Sequence, residues 1–416
     1  MTRLTPAQAV QRLAERLGGR GRVFTPGGPA EPLVLAEAYR AEPNAAARLT
    51  FVGAWIPGVN RTDWASLHPD ARAETTFVSA DWRGSFEARR LQFRPLSYGQ
   101  TWTWLATTPL DAAILQVSPP DADGLCSLGT ACDFAPAILE RPMIRVAQVN
   151  AAVPAPPTAQ KVPLGAFDII VETEAPLAGY DAGALDPAFA HIAEIVAGLL
   201  PERATVEFGL GKAGVAVLSA LARRKGDRIH SGMVTDPLLA VLDADAVESV
   251  TTGVALGSSA LHARVASDPR VRFAPVSFTH DARVLAALPR FAAVNSALEV
   301  DLFGQANAEW QDGRQISGVG GLVDFLRGAR LSPGGLPVLA LAATARGGSV
   351  SRIVPRLSPG AVSVARADVG VVVTEYGAAD LRTLDLDGRA EALVAIAAPQ
   401  HRDALANAWE ALRRAM

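Results

Sequence analysis

The sequence predicts an α/β protein of two tandem, similar domains, each a largely parallel sheet covered by helices. Three observations carry this. Short β-branched runs alternate with helical periodicity along the whole chain, the pattern of strands joined by helical crossovers. At 416 residues, 49% hydrophobic and 19% charged, the chain has apolar surface for two ordinary cores. Finally, Ala204 to Asp236 reads ATVEFGLGKAGVAVLSALARRKGDRIHSGMVTD, a strand, a glycine loop, a helix with Val215, Leu218 and Leu221 on one face, and a second strand. Such a turn sets bare backbone amides and a helix N-terminus at the C-terminal edge of a sheet, where α/β proteins hold anionic ligands.

Taken in order, Thr5, Pro6 and Gln8 form a capping-box start, Val10, Leu13 and Leu17 a helical face, and Gly18 a stop. A strand at 22–25, a Pro26-Gly27-Gly28-Pro29 turn and a helix from Leu33 to Tyr39 make the first strand-loop-helix unit. Five of the seven tryptophans lie between Trp55 and Trp104, interspersed with Arg83, Arg89, Arg90 and Arg94. The acidic balance of the chain favours a small core of its own here over a basic surface for a nucleotide. A buried strand at 112–118 leads into a turn-rich loop at 119–124, and another strand runs from Ile144 to Val149. Residues 151–161, rich in alanine and proline, show no period and read as an extended surface connection.

After a strand at 167–171 and a loop around Tyr180, the helix from Pro187 to Leu200 opens the second half. The boundary therefore falls between domains 1–185 and 186–416, and two such halves are expected to enclose a cleft. Strands follow near 249–254, 271–275, 292–295 and 298–302. Beyond the glycine loop at 317–321 come a helix carrying Leu322, Phe325 and Leu326, and strands at 338–341, 350–354 and 369–373. Leu405, Trp409 and Leu412 mark the packing face of a last helix.

A formal charge of -3 and an isoelectric point near 6.1 give no pull toward nucleic acid or acidic lipid. No run approaches the roughly 20 apolar residues of a membrane helix, and the first residues lack the apolar core of a signal peptide, so a cytoplasmic protein is expected. Cys126 and Cys132 are spaced wrongly for a zinc pair and read as reduced structural thiols; no metal is expected. His191, His262 and His401 fall in helical stretches and read as core or surface residues.

Gly209-Leu210-Gly211-Lys212-Ala213-Gly214 satisfies G-x-G-x-x-G between a strand and a helix. A nicotinamide site would also need an acid ending the next strand, and Arg228-Ile229-His230-Ser231 has none, with Asp236 too late. Ser317 to Gly321 gives a second run of nearly bare amides ahead of a helix, suited to a carbonyl oxygen or a phosphate.

Several segments are specific beyond these loops: ILQVSPPDADGLCSLG at 114–129, VEFGLG, ALEVDLFGQANAE, ISGVGGLVDFLRGA, SRIVPRL and VVTEYGAADLR. In them, and in their order over nearly the whole chain, the sequence resembles the 4-hydroxybutyrate CoA-transferase and acetyl-CoA hydrolase group of class I coenzyme A transferases. The resemblance implies two tandem α/β domains, coenzyme A or its acyl thioester bound in the cleft as substrate, a carboxylic acid as partner substrate, and a homo-oligomer, expected to be a dimer. It implies a glutamate that attacks the thioester to give an acyl anhydride and then an enzyme thioester, with glycine-loop amides on the oxyanion. On matching positions, Gly209 and Gly211, with Gly318, Gly320 and Gly321, would line the thioester and pantetheine, and no metal is needed. Asn295 fits the pattern, while Glu299 and Glu375 match positions read as structural.

The nucleophile departs from that pattern. Family members show HTEM or YTEV where this chain has His230-Ser231-Gly232-Met233, so Gly232 stands at the position of the family glutamate. Glu207 replaces a usual glutamine, and His280-Asp281 a usual asparagine-aspartate pair. Three expectations follow. Glu207 or Asp236 takes over as carboxylate, or activates water once burial has raised its pKa. Alternatively Ser231 or His230 acts, although neighbours on one strand point to opposite faces. Otherwise the cleft binds acyl-CoA without transferring it, serving as a regulator, a partner subunit or a catalyst of different chemistry on the thioester; the sequence leaves open whether a partner chain supplies the missing carboxylate.

Overall fold

The computed structural model describes residues 1–416. By packing, the chain divides into two compact units: Met1–Tyr180 with Val234–Asp236 and Thr251–Phe278, and Asp181–Met233 with Pro237–Val250 and Thr279–Met416. Where the sequence suggests one cut between 185 and 186, the chain instead returns to the first unit twice. Both returns are continuations of long strands, Asp227–Thr235 and Val247–Leu256, whose residue pattern does not change where the packing partner does.

In the first unit eight strands pair in the order Thr2–Arg3, Ile169–Thr173, Ile144–Asn150, Ala112–Val117, Gly21–Phe24, Leu49–Val52, Arg72–Thr75 and Leu91–Phe93. Every pairing is parallel. After the edge strand Thr2–Arg3 the chain enters near the middle with Gly21–Phe24, runs outward to Leu91–Phe93, then returns to lay Ala112–Val117 on the other side of Gly21–Phe24. This reversal leaves the crevice at the strand ends where doubly wound sheets place ligands. The capping box of Thr5 and Gln8 forms as expected and starts the helix Pro6–Arg16.

The tryptophan-rich stretch is no nucleotide surface. Trp55, Trp64 and Trp82 are fully buried with Tyr39 and Phe51, and ring centroids lie 6.2 Å apart for Trp55 and Trp64 and 5.0 Å for Phe51 and Trp64. They pack into the same core as Val23, Ala112 and Ile114 of the sheet, not into a separate one. Glu74 is buried in this sheet and accepts from Arg22 and, at 2.7 Å, from Arg94. Burial alone would raise its pKa, but the hydrogen bonds and charges of the two guanidinium groups more than offset that and hold it low. Glu74→Ala strands both cations beside the apolar core. Because Arg22 and Arg94 are partly exposed, solvent screens part of the loss, and denaturant unfolding should show a destabilisation of about 2 kcal/mol.

The second sheet repeats this winding. Thr205–Phe208, Asp227–Thr235, Val247–Leu256 and Val271–Phe273 run outward in order; the chain then lays Phe291–Ser296 on the other side of Thr205–Phe208, followed by Leu336–Ala340 and Val371–Thr374. Only the edge strand Gly377–Asp380 is antiparallel among the pairings around that centre. The same winding of seven strands is what makes the halves similar; the eighth is the parallel Thr2–Arg3 in one sheet and the antiparallel Gly377–Asp380 in the other. Ala151 to Gln160 has no strand or helix, as expected, and the expected strand at 350–354 is two short pieces, Val350–Ser351 and Ile353–Val354. Both cysteines are free and buried, with burial pushing Cys132 up to about 12. No helix is long and apolar enough to cross a membrane.

Candidate active site

The reversal of the second sheet lies between Thr205–Phe208 and Phe291–Ser296, and the loop from Gly209 leaves its C-terminal edge. Each glycine of the G-x-G-x-x-G run has its own reason. A Cβ on Gly209 would sit 2.7 Å from Asn295 Oδ1, Gly211 has φ of +120° as N-cap of the helix Lys212–Leu221, and a Cβ on Gly214 would strike the Gly209 carbonyl. The helix buries Ala213, Gly214, Val217, Leu218 and Leu221, whereas Val215, expected on that face, is half-buried. The helix N-terminus has no side-chain cap, so its first amides are left for solvent or a ligand.

Glu207 is 1% exposed and accepts a 2.6 Å hydrogen bond from Asn295 Nδ2. Burial pushes its pKa well up, against the opposing Asn295 bond, because an apolar surrounding disfavours the charged form. Strand register explains the meeting. Thr205 pairs with both Arg228 and Phe291, so with side chains alternating at period two, Glu207, His230, Gly232 and Asn295 share one face of the sheet. Ser231 belongs to the other face. Accordingly, His230 Nε2 bonds the Thr279 carbonyl at 3.0 Å and the Ser231 hydroxyl donates to the Phe208 carbonyl at 3.2 Å, which leaves the two without a common partner.

Gly232 lies inside a nine-residue strand, where glycine weakens pairing and needs a cause. The cause is His280. A Cβ at 232 would meet its imidazole at 2.9 Å from Cε1 and 3.0 Å from Nε2, and a Cβ at Gly321 would meet it at 2.5 Å from Nε2. The ring of Phe325 covers the imidazole at 4.4 Å between centroids, and the Thr279 hydroxyl lies 2.9 Å from Nδ1. His280 is pushed down to about 3 by burial and, after it, by neighbouring His230; it is a neutral ring at physiological pH. Gly321 caps the helix Leu322–Leu331 without a side-chain bond, Gly320 has φ of +56°, and Gly318 is buried. The second glycine loop therefore ends where the imidazole lies.

Asp236 does not join this group. The strand runs on to Thr235, longer than expected, so an acid does follow its end. That carboxylate, however, accepts from the Ser258 amide at 3.1 Å and the Ser258 hydroxyl at 2.6 Å, fixing the residue that caps the helix Ser259–Ser267. Asp236 belongs to the first compact unit and Glu207 and Gly232 to the second, and its bonds to Ser258 give it a part in supporting that helix cap. His262 is likewise a first-unit residue, 2.8 Å from the Thr130 hydroxyl. Sequence reasoning recorded His280 only as a departure from a pattern; its contact with Gly232 is the feature missed.

Comparison with known proteins agrees with this architecture. Residues 21–175 match the acetyl-CoA hydrolase/transferase N-terminal domain, and residues 257–409 the acetyl-CoA hydrolase/transferase C-terminal domain. The 4-hydroxybutyrate coenzyme A transferase of Clostridium kluyveri is 33% identical over 351 residues, 82% of each chain. Among solved structures, RipA from Yersinia pestis superposes with a TM-score of 0.91 at 27% identity over 99% of this chain and 97% of its own. The 4-hydroxybutyrate CoA-transferase of Porphyromonas gingivalis does so with 0.80 at 28% identity, over 100% and 98%.

Proposed function

The chain belongs to the acetyl-CoA hydrolase/transferase family, and from that premise we propose that it binds a short-chain acyl-CoA thioester and passes the acyl group to water. Glu207 is the proposed base, acting in place of a nucleophilic glutamate at Gly232. The observation that carries this is the buried carboxyl of Glu207, placed on the same sheet face as Gly232 and made more basic than usual by its burial. A carboxylate that burial makes more basic is, in its ionised form, suited to taking a proton from water and returning it to a leaving thiolate. Gly209, Gly211, Gly318, Gly320 and Gly321 are proposed to line the thioester, their amides facing the oxygen that gains charge on attack. Without a carboxylate at 232 the anhydride and the enzyme thioester do not form there, so the acyl group moves in one displacement: the water oxygen bonds to the carbonyl carbon, the carbon-sulfur bond breaks, and acid and free thiol leave.

The test is thiol release from acetyl-CoA and butyryl-CoA with and without added acetate, combined with borohydride trapping. Release that needs no acetate, with nothing trapped on the protein, is the expected result. Acetate-dependent exchange with a trapped enzyme thioester would overturn it. A second reading, binding of acyl-CoA without turnover, draws on the imidazole that fills the room beside Gly232, and tight binding with no thiol release would favour it. A homodimer in a cytoplasmic setting remains our expectation for either reading.

A further inference from the structure

The geometry points to Gly232 and His280 as one coupled exchange: the imidazole occupies the volume a carboxylate-bearing side chain at 232 needs, and so decides whether water or a carboxylic acid receives the acyl group. This deepens, and rests on, the reading that the site handles an acyl-CoA. The contacts are steric. An added Cβ at 232 lies 2.9 Å from Cε1 and 3.0 Å from Nε2 of the imidazole and 3.6 Å from Phe325 Cε2, and contacts near 3 Å or shorter demand that a neighbour move. The ring has little room to do so. Phe325 stacks on it at 4.4 Å, Thr279 Oγ1 lies 2.9 Å from Nδ1, and Gly321 faces it so closely that a Cβ there would be 2.5 Å from Nε2.

Gly321 strengthens the argument. Its φ of -85° and ψ of -4° are open to any residue, so the backbone does not demand glycine; the imidazole does. Two glycines on different elements, a strand and a helix cap, thus make room for one side chain from a third. A glutamate at 232 has the same Cβ and four further heavy atoms, so it cannot enter while the imidazole stays. His280 is thereby a specificity-determining residue: with it in place no carboxylate is available to form the anhydride.

The test is a pair of double-mutant cycles. In the first, thermal midpoints are read for Gly232→Ala in the natural chain and together with His280→Asn. The methyl should lower the midpoint by several degrees beside histidine and by much less beside the shorter asparagine, and equal shifts in both backgrounds would overturn the coupling whatever the activity. In the second, acetate-dependent transfer from butyryl-CoA is compared between Gly232→Glu and Gly232→Glu with His280→Asn. In the doubly substituted chain the carboxylate attacks the thioester carbonyl and expels the CoA thiolate, the thiolate attacks the glutamyl carbonyl and expels butyrate, and acetate returns through the same steps as acetyl-CoA. Transfer should exceed that of Gly232→Glu by about tenfold or more, with an enzyme thioester trapped by borohydride. Equal transfer by the single variant, or none by a double variant that calorimetry shows to bind butyryl-CoA, would sink the inference. Failure of the natural chain to bind butyryl-CoA instead removes the function proposed above and leaves the thermal cycle to stand or fall separately.

Discussion

Glu207→Gln is expected to lower acyl-CoA hydrolysis by roughly 10²- to 10⁴-fold, the usual contribution of a positioned general base, while the dissociation constant for acyl-CoA stays within a few-fold. The amide keeps the shape of the carboxyl and can turn its oxygen toward Asn295 Nδ2, which now donates to Glu207 at 2.6 Å, so the packing around it should be preserved. It loses only the ability to accept and return a proton. A stability measurement gives an independent check. Burial raises the folded-state pKa of Glu207, so the stability contributed by its neutral form is full below the unfolded value of about 4.3 and is lost as pH rises through the folded value. Glu207→Gln should therefore be more stable than the natural chain in alkali, with the difference vanishing in acid. Full turnover by Glu207→Gln would remove this residue from the mechanism, and an unchanged alkaline limb would show that burial does not raise its pKa.

The architecture was legible in the sequence because its signals are local. The capping box of Thr5 and Gln8, the glycine loop after Phe208 and the β-branched runs each act within a few residues, and the alternation of strands and helices recurs in both halves. The returns of Val234–Asp236 and Thr251–Phe278 to the first unit were not legible, because a long strand looks alike whichever core it adjoins. The same reason explains Asp236. Its distance from Gly232 in sequence is four residues, but its partner Ser258 is 22 residues away, and only the fold brings them together. Glu207 could be found because it stands just before the glycine loop. The role of His280 depends on a contact across 48 positions, and the available signal was that two departures, Gly232 and His280, occur together; the structure supplies the common volume that links them.

Acid should expose His280 in a second way, as a steep loss of stability below neutral pH. The unfolded imidazole takes its proton near pH 6.5, while the folded one, buried and beside His230, resists until about 3. Across that interval the unfolded chain binds a proton that the folded chain refuses, so the contribution is complete above 6.5 and declines as pH falls toward 3. At ~1.4 kcal/mol per pH unit, the decline between 6.5 and 4.5 is about 2 to 3 kcal/mol, enough to move the midpoint of a denaturant titration visibly. His262, also lowered by burial, adds a share of its own, so the informative quantity is a difference. His280→Asn should flatten the acid limb by one proton and leave the remainder in place. If the slopes of the two proteins between pH 6.5 and 4.5 coincide, the imidazole is protonated in the folded state, and a ring that carries a proton at Nε2 and Nδ1 together is not the neutral group packed against Gly232 and Gly321.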